Sequence, residues 1–179
     1  MILYLLDKII FNNQSILEDL TKALQNVDVF DSQLYAKPEL VAGNASIGGH
    51  VRHIIDFYLA FFKGFEQKEI DYDQRERDHN VQTNVFVAQN KIQWICEQLA
   101  QLPKMPECIL SVSVTTDAAI ECMHGQSTLL RELQFIHSHT THHMAIISII
   151  LRINGIFPDD NFGKAPSTVA FEQKQACVQ

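Results

Sequence analysis

The chain has 179 residues with 46% hydrophobic and 20% charged side chains, the composition of one ordinary globular domain with a sizeable core. Its net charge of −7 and the lack of a long basic run exclude a protein that wraps nucleic acid. The apolar start, MILYLLDKIIFNNQ, is broken by Asp7 and Lys8 and has neither a basic leader nor a small-residue cleavage site. No stretch reaches the ~20 apolar residues of a membrane span.

Residues 3–24 carry Leu6, Ile9, Ile10, Ile16, Leu17, Leu20 and Leu24 at helical spacing, which predicts an amphipathic helix with Asp7, Asn13, Glu18 and Lys22 outside. A long connection rich in Asn, Asp, Pro and Gly follows, and Ser46 is an N-cap for the next helix. That second helix is expected over 47–65, with Ile47, His50, Ile54, Phe57 and Phe61 in one stripe and His53 beside it. The charged segment after Gly64 reads as a second long connection.

A third helix is expected over 81–102, with Val85, Ala88, Ile92, Ile95, Leu99 and Leu102 in register and Pro103 and Pro106 ending it. Residues 108–115 alternate as a strand would, and 118–123 offer a partner across a Thr-Thr-Asp turn, which predicts a small β-hairpin. A fourth helix should begin at Ser127 or Thr128 and run to Asn154, with Gly155 closing it. The remainder, 156–179, is expected to be an irregular tail over the bundle. The fold class is therefore all-α: a four-helix bundle over about 3–155 with long connections and one hairpin, forming a single domain over 1–179. Cys96, Cys108, Cys122 and Cys177 have no metal-binding spacing and read as free thiols in a reducing cytoplasm.

Four of the eight histidines fall within FIHSHTTHHMAII. His139 and His143 are four apart, so on a helix their imidazoles lie one turn apart on one face and can reach one ion. His50 and His53 share a face of the second helix, and one or both can complete the site. Three histidines leave coordination positions open, the arrangement of a catalytic rather than a structural ion. Histidine-only ligation does not choose the metal. In the charged loop, Arg75 and Arg77 are candidates to bind an anionic substrate at the pocket mouth. The segment 162–168 reads either as a lid or as a tail anchor.

GGHVRHIID followed far downstream by HTTHHMAII resembles the DinB-like family, which includes the YfiT-type metalloenzymes. The resemblance runs from the first helix to about Gly155 and rests on the order, spacing and helical placement of short motifs. It implies a four-helix bundle whose second helix gives one histidine and whose last gives an HxxxH pair. By motif these are His53, at the H-x-x-D position before Asp56, and His139 with His143. His50, Asp56 and His142 then stand as alternative ligands or as residues supporting a ligand, His137 either supports a ligand or faces outward, and Glu132 is the candidate general base. The resemblance further implies one divalent transition metal, zinc or nickel first, and a small-molecule substrate such as a low-molecular-weight thiol. The implied chemistry is S-transferase-like, with hydrolysis as the variant, and the assembly a homodimer. The other reading is a metal-binding or stress-linked interaction protein without catalysis.

Overall fold

The computed structural model describes residues 2–30, 33–105, 108–115 and 122–176. The architecture is mainly α, with six helices and a three-stranded sheet among these residues. The long helices are α1 (Ile2–Phe30), α2 (Ile47–Gln67), α4 (Val85–Ala100) and α5 (Leu129–Ile153). Both α1 and α2 pack against both α4 and α5. The core lies between them, and no helix among the described residues is long and apolar enough to cross a membrane.

Helix α1 buries Leu6, Ile10, Leu17, Leu20 and Leu24, as its apolar spacing requires. Asn13, expected outside, lies in the same stripe and is fully buried. Its amide donates to Ile9 O at 2.8 Å and Leu133 O at 3.2 Å, while its Oδ1 accepts from the Tyr58 hydroxyl at 2.7 Å. A polar residue is tolerated there because its donor and acceptor are both satisfied, and these bonds tie α1 to α2 and α5.

Ser46 caps α2 as expected: its Oγ accepts from Gly49 N–H at 3.0 Å. Glycine is required at two points along that helix by close approach. A Cβ at Gly48 would lie 1.9 Å from Gln82 O, and one at Gly64 would lie 2.5 Å from Ile70 Cα. The first contact seats the short helix α3 (His79–Thr83) on the start of α2; the second seats β1 (Glu69–Asp71) on its end.

Three expectations need correction. The third helix is two: Asn84 interrupts it, and its Oδ1 accepts from Phe86 N–H and Val87 N–H to start α4. Asn competes for backbone donors in this way wherever the chain turns into a helix. The hairpin is part of a larger sheet. Strand β2 (Ile109–Val114) pairs antiparallel with β3 (Met123–Thr128) and parallel with β1, which forms within the charged connection. The returning strand thus falls later than 118–123; residues 116–121, the rest of the expected turn and strand, lie outside the described residues, as does Cys177. Finally, the tail is not irregular throughout, because Pro166–Ala176 forms α6.

Helix α5 starts at the Thr128 cap and ends in a Schellman turn. Gly155, at φ +79°, donates to Arg152 O, and Ile156 donates to Leu151 O. This fixes both ends of the helix that carries the histidine pair.

Gly48→Ala separates close approach from helix propensity, which alone would stabilise by ~1 kcal/mol. The clash with Gln82 is expected to win, destabilising the fold by ~1–3 kcal/mol in urea denaturation. Gly125→Ala, whose Cβ would meet nothing within 4 Å, is expected to change stability by less than ~0.5 kcal/mol.

Candidate metal centre

Helices α2 and α5 pack face to face and bring His53 against the HxxxH pair. His53 Nε2 lies 3.0 Å from His139 Nε2, and a nitrogen from each of His53, His139 and His143 falls within 4.8 Å of the others. Tetrahedral ligation at ~2.0–2.1 Å asks for nitrogens ~3.4 Å apart, so this spacing is close to what one ion requires. All three rings are half-buried.

Burial is the first cause of their shared electrostatics. It lowers the pKa of His53 and His139 to about 4 and that of His143 to about 3, with neighbouring histidines and, for the first two, Arg75 adding repulsion. The imidazoles are therefore neutral at pH 7, the only state in which a lone pair is free for a metal. Three neutral, convergent nitrogen donors fit a divalent transition ion.

The surroundings are asymmetric. Phe57 stacks on His139 with centroids 4.0 Å apart, Tyr72 stacks on Phe57 at 5.0 Å, and Phe135 packs against both Phe57 and Tyr72. This aromatic wall lies against His139. On the other side, His53 and His143 border a cavity of about 340 Å³.

His50 belongs to the cluster: its Nδ1 lies 3.0 Å from His143 Nδ1, while its Nε2 is buried without a partner. His142 is exposed and meets His143 edge-on at 5.1 Å. His137 lies off the cluster, on a separate cavity beneath Phe162. Gly163 packs there directly on α5, since a Cβ on it would lie 2.7 Å from Ala145 Cα.

Arg75 reaches the cluster by a route that spacing does not reveal. Its Nη1 lies 2.9 Å from His53 Nδ1, and its guanidinium sits 5.5 Å from the centre of the Phe57 ring. A guanidinium only donates, so His53 Nδ1 accepts and its Nε2 carries the proton, donated in turn to His139 Nε2. Arg77, at φ +52°, meets Asp56 through its backbone N–H.

Asp56 is buried beneath the charges of Arg52, Arg75 and Arg77. Burial raises its pKa, and the three arginines oppose that shift. Glu132 is buried two turns before His139 on α5. Its Oε2 accepts from the Tyr72 hydroxyl at 2.6 Å and its Oε1 from the Ser127 hydroxyl, so both oxygens are engaged and it does not join the three histidines.

Sequence reasoning passed over Phe57 as a ring stacked on a histidine, Tyr72 as the partner of Glu132, and Arg52. The aromatic spacing from Phe57 back to His53 carried a signal for the first, because residues four apart share a helix face.

The depressed histidine values set a pH dependence in the metal-free protein. Below the ordinary value of 6.5 the unfolded chain binds protons that the folded one refuses, so stability falls as pH drops from 6.5 toward 4. Thermal melts over that range are expected to show a shallower loss in His143→Gln than in the parent. An unchanged slope would mean these rings titrate normally in the fold.

A model of the DinB family matches residues 13–160, which include all of α2 and α5 and every histidine of the cluster. Comparisons with curated proteins and with solved structures return no match. The family match covers most of the chain, and the chain belongs to the DinB family.

Proposed function

We propose that this protein is a metal-dependent enzyme that activates a small-molecule thiol, with water as the nearest variant, at a site formed by His53, His139 and His143. The observation that carries this reading is the convergence of three neutral imidazole nitrogens beside an open cavity. A divalent ion, zinc or nickel first, would supply Lewis acidity there, lowering the pKa of the thiol or water brought to it. The four long helices are read as a four-helix bundle, the arrangement in which facing helices share a site; their mutual packing supports this.

The chain's own residues take distinct parts. His50 accepts from or donates to His143 Nδ1 and holds that ring in place. Phe57 fixes the plane of His139 and excludes water from that side. Arg75, with Arg52, keeps the field around the site positive and favours a thiolate over a thiol. Glu132, with both oxygens already bonded, buttresses Tyr72 and the aromatic wall. A thiol whose pKa falls below neutrality needs no general base, and that favours thiol over water.

Two experiments test the reading. Elemental analysis of zinc-reconstituted protein is expected to give one ion per chain. His139→Ala or His143→Ala should weaken binding by more than the ~10–100-fold typical of an outer partner. Zinc retained by the double variant would dismiss the site.

Arg75→Met is expected to tighten zinc binding by about fivefold to tenfold, measured by chelator competition. The wild-type guanidinium holds His53 in the tautomer whose Nε2 carries a proton, and that hydrogen bond must break before Nε2 can ligate. Weaker binding in the variant would show that Arg75 supports the ligand instead.

A further inference from the structure

We infer that the substrate of this site carries a carboxylate, and that Arg52 is the side chain that selects it. This deepens the metal-site reading above and rests on it.

The cavity of about 340 Å³ opens on His50, His53 and His143, while Phe57 stacks on the His139 ring. Its volume suits a ligand at the small end of the usual range. Among the described residues that line it, His50, His53 and His143 form the histidine wall, Asn44 and Gln82 supply neutral amides, and Arg52 is the one formally charged side chain. No carboxylate lines it among those residues. A small molecule that reaches His53 through this cavity therefore passes a guanidinium and no competing anion.

The Arg52 side chain is 25% exposed, and since its Nε is buried any ligand contact falls to its terminal nitrogens. That Nε has no hydrogen-bond partner. Asp56 forms an ion pair with that nitrogen at 4.0 Å, beyond hydrogen-bond reach. The same carboxylate faces Arg75 and Arg77 and accepts the Arg77 backbone N–H. The charges that act on the His53 ring are those of Arg75 and Arg52, an excess of positive charge beside three uncharged rings. A divalent ion on neutral ligands would add to that excess, and an anionic ligand is the simplest way to offset it.

The amino terminus of α2 ends at the same cavity, so its dipole points the same way. Its Gly48 and Gly49 N–H groups are already taken, the first by Tyr35 O and the second by Ser46 Oγ. Recognition by a directed bond falls to Arg52, whose planar fork matches a carboxylate.

Calorimetric titration of zinc-loaded protein with 3-mercaptopropionate and its neutral amide, 3-mercaptopropionamide, tests this. Zinc stoichiometry is measured first on the wild type, Arg52→Gln, Arg52→Lys and Arg75→Gln, with circular dichroism to check that each is folded. The wild type is expected to prefer the carboxylate by at least about tenfold. Arg52→Gln should reduce that preference to about twofold or less, Arg52→Lys should keep part of it, and Arg75→Gln should keep most of it. Equal affinity for the two thiols, binding of neither, or a preference that survives Arg52→Gln overturns the assignment while leaving the metal site intact. Failure of the wild type to take up zinc removes the metal reading itself, and the inference with it.

Discussion

Two imidazole nitrogens held 3.0 Å apart cannot both carry protons, and the centre of this molecule depends on that constraint. His53 and His139 meet at this distance, as do His50 and His143, so four rings from two helices must share fewer protons than they have nitrogens. Burial favours the neutral state further. A cluster kept uncharged in this way has lone pairs to give, whereas the same histidines on a solvated face would carry protons in part and repel one another.

The scaffold is arranged to make that meeting of α2 and α5 rigid. Asn13 binds Leu133 of α5 and Tyr58 of α2 from within α1, close to the histidine layer in sequence on both helices. Gly48 and Gly64 admit α3 and β1 against the two ends of α2. Glu132 anchors Tyr72, which stacks on Phe57, which stacks on His139. The charged connection joins the same structure: β1 ties it to the sheet, and Arg75 reaches from it to His53. A segment that composition marks as a solvated loop thus becomes one wall of the site.

Much of this was legible from residue order alone. Apolar spacing located the long helices because each buries one continuous face, and the caps at Ser46, Thr128 and Gly155 marked ends that the backbone itself requires. The i,i+4 pair at His139 and His143 and the neighbouring His53 were readable for the same reason. The rest depended on partners distant in sequence. Asn13 looked like a surface residue because nothing local shows that Tyr58 and Leu133 converge on it. The parallel pairing of β1 with β2 spans some forty residues, as in Glu69 with Ser111, and leaves no local periodicity. Glu132 could be placed on the histidine-bearing helix, but not bonded to Tyr72 and Ser127. Arg52 drew no notice because a lone arginine between two histidines reads as surface until the cavity beside it is known.

The central claim is that three neutral histidines from two facing helices form one metal centre with an open side. X-ray absorption at the zinc edge of the reconstituted protein tests it most directly. The expected spectrum has three imidazole nitrogens at ~2.0–2.1 Å and one further light ligand. In thiol-free buffer, a sulfur shell near ~2.3 Å, or a spectrum with fewer than two imidazoles, would contradict it.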